Sequence, residues 1–247
     1  MESLHQNKVN PTQTTVMRTI FTLLFIASFS LTALAQNKET RDVRDFDEVI
    51  MRVSGKVLIT QGNKNEVILE GDADLLEEIE TEVKGGRLNI KNRRERWWST
   101  SRGRNRLTVY ITVKKLRGAY VSGSGDIISQ NTLKTDDFTA SIAGSGDIEI
   151  DLEADYVLSK ISGSGNIELQ GTSDRAKLSI SGSGKYLAEK LVVGDYEISM
   201  SGSGRGSINV EGDLDVRISG SGKVYYMGKP TSVNSSVSGS GSVRRMN

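Results

Sequence analysis

Apolar and polar residues alternate through much of this 247-residue chain. The stretches "DEVIMRV", "KVLITQG", "EVILEGD", "RLNIKN" and "RLTVYITV" show the alternation in the first half, and "AKLSIS", "DVRIS", "DIEI" and "NIEL" show it in the second. A period of two belongs to a strand with one face buried. Only "DADLLEEIE" reads as a helical turn. The pattern predicts an all-β protein.

In the second half the alternation is punctuated by a tetrapeptide, Ser-Gly-Ser-Gly or Ala-Gly-Ser-Gly, in seven copies. Its glycine pairs are Gly123/Gly125, Gly144/Gly146, Gly163/Gly165, Gly182/Gly184, Gly202/Gly204, Gly220/Gly222 and Gly239/Gly241. Both members of every pair are expected to be turn positions, since glycine permits positive φ and leaves no Cβ at a corner. The first glycines lie 21, 19, 19, 20, 18 and 19 residues apart, the signature of a stacked repeat. Two positions before each first glycine stands an apolar residue: Val121, Ile142, Ile161, Ile180, Met200, Ile218 or Val237. Four positions after it the column reads Ile127, Ile148, Ile167, Tyr186, Gly206, Val224 and Val243. The break at "RGS", 205–207, predicts a slip that moves Ile208 into the slot.

Each repeat reads as strand, tight glycine corner, strand and polar turn. Stacked in parallel about 4.8 Å apart, the apolar columns become internal ladders. The middle serines (Ser124, Ser145, Ser164, Ser183, Ser203, Ser221, Ser240) become another, able to hydrogen-bond along the stack. The expected fold is an all-β solenoid, a parallel β-helix whose seven Gly-Ser-Gly rungs fill residues 121–247. The alternative, a β-sandwich, would not need rungs this regular. Residues 36–120 lack the motif but are strand-rich, and "VSGKVLIT" looks like a shortened repeat. This part is expected to begin the stack or to cap it, since bare end strands aggregate.

Composition sharpens this reading. The motif holds 14 of the 26 glycines, so the excess is structural punctuation. Residues 1–35 are expected to be a signal peptide. Met17-Arg18 opens a short basic region, "TIFTLLFIASFSLTALA" is an apolar run short for a membrane span, and Ala33-Leu34-Ala35 fits small-x-small cleavage. Cleavage after Ala35 leaves Gln36 first, and the polar residues before Met17 point to Met17 as the true start. Losing Lys8, Arg18 and Glu2 takes 32 basic and 31 acidic residues to 30 of each. The chain has no cysteine, and its one histidine, His5, goes with the leader. Neither a Ser-His-Asp nor a Cys-His mechanism, an ordinary zinc site, a disulfide nor a lipid-bearing cysteine is then available. No cofactor and no transmembrane span are expected in the processed chain, and its balanced charge does not demand nucleic acid.

Gly182-Ser183-Gly184-Lys185 looks like the end of a phosphate-binding loop. The first glycine of that motif would fall at Ser179, however, and Tyr186 follows the lysine. The residues just after each motif (Asp126, Asp147, Asn166, Lys185, Arg205, Lys223, Ser242) form a column whose charge runs from acid to base. Asp126 over Asp147 is a calcium candidate, but it falls short of the six or more oxygens that ion takes. Glu149, Asp151 and Glu168 offer carboxylates for glycan hydrolysis. They occupy outward alternate positions that solubility alone explains, and no enzyme is expected.

The sharpest local feature is "KNRRERWWSTSRGRNR", residues 91–106. It sets seven basic residues (Lys91, Arg93, Arg94, Arg96, Arg102, Arg104, Arg106) against Glu95, and it contains both tryptophans, Trp97 and Trp98. Lying between two strand-like stretches, it is expected to be a long hairpin loop. The candidate ligand-binding residues are Arg93, Arg94, Arg96, Trp97, Trp98, Arg102 and Arg104. Guanidinium forks grip carboxylate or phosphate, and an indole lays a flat face on a sugar or a headgroup. Against this stands a plain solvated loop with one tryptophan folded back on the core. The expected partner is an anionic polysaccharide or envelope component. Nucleic acid also suits basic and aromatic residues, but export argues against it.

The order "DFDEVIMRVSGKVLITQG", "VILEGDADLLEEIETEVKGGRLNIK", "LTVYITVKKLRGAYVSGSGDI", further Gly-Ser-Gly rungs and a final "ISGSGKVYYMGKP" resembles the head GIN domain family. These are auto-transporter adhesin heads of the DUF2807 type, common in exported proteins of Bacteroidetes. The resemblance covers residues 45–245. It implies an exported β-helical module, in the periplasm or at the cell surface, with adhesion as its role, and it supplies no catalytic residues. A structural envelope protein without a ligand is the second reading, and a polysaccharide-active enzyme the third.

Overall fold

A computed structural model describes residues 37–93 and 107–246. Its first part runs β1 (Asn37–Arg41), β2 (Glu48–Met51), β3 (Lys56–Gln61), β4 (Glu66–Gly71), the short helix α1 (Ala73–Glu78), β5 (Ile79–Lys84), β6 (Arg87–Asn92) and β7 (Thr108–Val113). The repeats follow as β8 (Gly118–Gly123), β9 (Asp126–Ser129), β10 (Leu133–Gly144), β11 (Asp147–Gly163), β12 (Asn166–Gly182) and β13 (Lys185–Gly202). The last are β14 (Arg205–Val210), β15 (Asp213–Gly220), β16 (Lys223–Met227), β17 (Ser232–Ser238) and β18 (Ser242–Arg245).

The strands before and after each glycine corner fall into two parallel ladders. The ladder before the corner runs β6, β2, β8, β10, then the later halves of β11, β12 and β13, then β15 and β17. The ladder after the corner runs β7, β3, β9, the early halves of β11, β12 and β13, then β14, β16 and β18. This is the β-solenoid the repeat predicts. Val121, Ile142, Ile161, Ile180, Met200 and Ile218 stack in register and are all buried. Each such side chain contributes roughly 1.5–3 kcal/mol by leaving water. Val237, at the end of the column, is 40% exposed.

The first part both begins and caps the stack. The β2–β3 rung lies inside, against β8–β9, and the later β6–β7 rung lies outside it. Antiparallel strands then close that end: β4 on β7, β1 on β4, and β5 on β6. The edge strand β1, "NKETR", carries Lys38, Glu39 and Arg41, charges that discourage further pairing.

The two glycines of a corner answer different needs. Only the first of each pair (Gly123, Gly144, Gly163, Gly182, Gly202, Gly220, Gly239) takes a positive φ. Gly182, at φ +126°, is typical: an L side chain is strained there, and a Cβ would meet the Gly163 carbonyl. The second glycines, Gly125, Gly146, Gly165, Gly184, Gly204, Gly222 and Gly241, have no positive φ and are not turn residues in that sense. They are glycine for lack of space. A Cβ on Gly125 would strike Met51, and on Gly146, Gly165, Gly184, Gly204, Gly222 and Gly241 it would strike Val121, Ile142, Ile161, Ile180, Met200 and Ile218 respectively. Each second glycine thus makes room for the apolar side chain of the rung below. All of them are buried except Gly241, in the last corner, which is half-buried.

The serines between the glycines are all exposed. The bonds that run up the corner are made by backbone: Ser164 N–H donates to Gly144 O, Ser183 N–H to Gly163 O and Ser203 N–H to Gly182 O, each at 2.9 Å. The expected serine ladder is therefore a main-chain ladder. Among the described corners a hydroxyl pair forms once, Ser54 with Ser124 at 3.0 Å.

The predicted slip at 205–207 does not occur. Gly206 holds the slot between Tyr186 and Val224, and Ile208 stays one inward position further on. The uneven period is absorbed instead by irregularities along the strands, between Glu168 and Gln170 and between Ala188 and Val192. A Cβ at Gly206 would make only ordinary contacts, with Leu178, Met200 and Val224, and the register partner Tyr186 is fully buried. Tyr186 hydrogen-bonds to Tyr196, hydroxyl to hydroxyl, at 2.7 Å, with the rings edge to face at 6.4 Å. Burial pushes both phenols up, Tyr196 well above the ordinary value.

Two stability measurements check this account. Gly182→Ala and Gly184→Ala are each expected to cost about 1–3 kcal/mol in denaturant melts, whereas Ser183→Ala stays within about 0.5 kcal/mol. Tyr186→Phe strands the Tyr196 hydroxyl and should cost about 1–3 kcal/mol, while Tyr186→Phe/Tyr196→Phe, which removes both partners, should be nearer neutral.

Candidate functional site

Of the seven predicted binding residues, Arg93 lies within the described structure. It is exposed, and its backbone N–H donates to Glu78 O at 2.8 Å. Arg94, Arg96, Trp97, Trp98, Arg102 and Arg104 lie outside the described residues, as do Ala35 and Gln36 of the expected cleavage site. The structure describes the two strands that flank the segment. β6 pairs with β2 and β5, and β7 pairs with β3 and β4. The two flanking strands thus belong to different ladders, and the expected hairpin is not formed. Residues 93–107 join them where the neighbouring rung has the short link Arg52-Val53-Ser54-Gly55 between β2 and β3. Leu107 is buried, and its carbonyl accepts from Lys56 N–H at 2.9 Å, which pins the far end. Lys91, the first basic residue of the run, is committed to the cap, 3.3 Å from Glu82 and 3.6 Å from Glu80.

The column after each corner exists as the repeat predicts. Lys56, Asp126, Asp147, Asn166, Lys185, Arg205, Lys223 and Ser242 are successive register partners. At its acidic end, Asn166 donates through its side-chain amide to Asp147 at 2.8 Å. Asp126 is half-buried, and its carboxyl is held above the usual range, by burial first and by the Asp147 charge second, with Lys56 opposing. Among the described residues no three acidic side chains gather as a metal cluster. Glu149 and Glu168 are register partners, and Asp151 accepts from the Gln170 side chain at 3.4 Å. These carboxylates stand on the outer face, as expected from the alternation.

A shallow cleft of about 500 Å³ lies elsewhere, lined by Lys114, Lys115, Lys134, Asp136, Asp155 and Asp174 among others. The sequence reading did not single it out. Its floor is organised by Gln61, which donates to the carbonyls of Lys114 and Lys134 and accepts from Lys134 N–H. Four of its charges are spent locally: Lys115 pairs with Asp136 at 2.6 Å, and Lys134 with Glu153 at 2.8 Å. The one available signal was the long first spacing of 21 residues, which makes room for the turn where Asn131 exchanges hydrogen bonds with the Gln61 backbone.

Residues 45–230 match the family model described as "Putative auto-transporter adhesin, head GIN domain", DUF2807. The chain belongs to this family. Solved structures share the head GIN fold along nearly the whole described chain. One is a "putative adhesin" from Bacteroides fragilis, 24% identical with a TM-score of 0.80, matching 87% of this chain and 98% of its own. A second is a "putative lipid binding protein" from Parabacteroides distasonis, 27% identical with a TM-score of 0.69, over 85% and 97%. A third, a "putative adhesin" from Parabacteroides merdae, is 18% identical with a TM-score of 0.64, over 87% and 98%. No curated protein matches the sequence.

The acidic pair of this head GIN domain gives a pH test. A carboxyl whose pKa is raised on folding destabilises once it ionises; the cost is full at neutral pH and is relieved as pH falls through the folded value. Asp126→Asn is therefore expected to raise Tm at pH 7. The gain should vanish below about pH 3.5, where the acid is protonated folded or unfolded.

Proposed function

We propose that this head GIN domain is a non-catalytic, exported binding module of the periplasm or cell surface, and that its ligand is an anionic glycan or another anionic envelope component. The observation that supports the reading is the placement of the two strands that flank the arginine- and tryptophan-rich segment. β6 and β7 are held in two separate ladders, each between two partners, so the segment between them is carried by rigid strands. Rigid strands that present a loop are a common way to build a binding site. The composition of the segment suits an anionic partner with flat or apolar parts: guanidinium groups for carboxylate or phosphate, and indoles for a sugar face. A lipid headgroup is the second reading, favoured by the likeness to the structure described as a lipid-binding protein. A purely structural envelope role predicts no ligand at all.

Glycan arrays, envelope pulldowns and anionic vesicles, each probed with residues 36–247, separate these readings. Trp97→Ala/Trp98→Ala is expected to weaken binding by about tenfold or more, since buried aromatic anchors dominate such interfaces. Undiminished binding by the double variant would sink the loop assignment.

A further inference from the structure

We propose that Lys185, Arg205 and Lys223 form a second anion-binding site, which takes a short stretch of a linear acidic glycan laid along the stack, one acid group to a rung. The site is distinct from residues 91–106 and stands or falls separately from them. The three side chains are exposed and in register on adjacent rungs, so their charges repeat at about the rung spacing of 4.8 Å.

Like charges directly opposite one another on neighbouring strands are destabilising. Elsewhere the same stacking is used to cancel charge: Lys134 meets its register partner Glu153 at 2.8 Å, and Lys177 meets Glu197 at 3.0 Å. Among the described residues, none of the three cations of this column takes part in an ion pair. Arg205 lies over the Tyr225 ring at 5.5 Å, which steadies its guanidinium, and Arg244 stands beside Tyr225 as its register partner. The result is a file of three cations with no ion-pair partner, flanked on the last rung by Arg244.

The neighbours define the ligand. Toward the capped end the column passes through Asn166 to Asp147 and Asp126, which repel a polyanion and bound the footprint. An extended glycan advances by a length close to one rung per sugar, so a uronic-acid chain can offer one carboxylate to each cation. A bilayer fits less well. A planar anionic surface would also meet Glu149, Asp151 and Glu168, which share this face, whereas a narrow chain follows the file past them.

Calorimetric titration of residues 36–247 with uronic-acid oligomers of increasing length tests the site. Affinity should climb with length to about three units, one per cation, then level off, and it should fall with added salt. Lys185→Gln/Arg205→Gln/Lys223→Gln should lose about tenfold in affinity with an unchanged or higher Tm, because three partly screened charge pairs are removed together with their mutual repulsion. Trp97→Ala/Trp98→Ala should leave this binding intact, and Asp147→Asn should strengthen it and extend the length dependence. The proposal is overturned if the triple variant binds like the parent, if neutral oligomers of the same linkage bind as well, or if only anionic phospholipid vesicles bind.

Discussion

Everything in this molecule depends on one repeated contact, the corner where the carbonyl of a first glycine accepts the N–H of the next rung's middle serine. Rungs can approach to strand-pairing distance at a bend only if no side chain intervenes there, and a pair of glycines satisfies that condition twice over. The first supplies a backbone angle closed to other residues, and the second clears space for the apolar side chain below. With the corner fixed, the two flanking strands are forced into register with their predecessors. Every inward residue then lands on its counterpart, and every outward residue joins a surface column.

This explains why so much was legible from the chain. A period of two tells which residues face in, and a fixed interval between corners tells which residues stack. Together they placed the ladder from Val121 to Ile218 and the charge column from Asp126 to Lys223. What stayed hidden was whatever local pattern does not encode. A repeated Gly-x-Gly cannot say that one glycine is needed for its backbone angle and the other for the volume of a side chain a full rung away. Alternation cannot say which strand lies next to β2, so the outer position of β6 and β7 was invisible. Nor can it show that the rung keeps its register with Gly206 in the apolar slot, where the pattern alone predicts a slip. The segment 91–106 reads as a hairpin loop from its length, although its flanking strands pair with other strands and not with each other.

The candidate sites show the same division. Columns follow from the repeat, so the charges of Lys185, Arg205 and Lys223 could be listed before any coordinates. The cleft around Gln61 depends on hydrogen bonds between residues 70 or more positions apart, such as that from Gln61 to Asn131, and no spacing rule announces it. Binding on such a scaffold is a property of surface columns and interruptions, since the interior is filled by its own ladders.

The rung order of the first part has a consequence for how the molecule is made. β2 and β3 come early in the chain yet sit inside the stack, and the strands that shut its end, β1, β4 and β5, all precede the first Gly-Ser-Gly corner. A chain folding from its N-terminus can therefore seal one end before any repeat appears. It then grows in a single direction, each new coil templated on a finished surface. The number of coils becomes a free variable: gaining or losing one alters the reach of the module by about 4.8 Å and leaves the sealed end untouched.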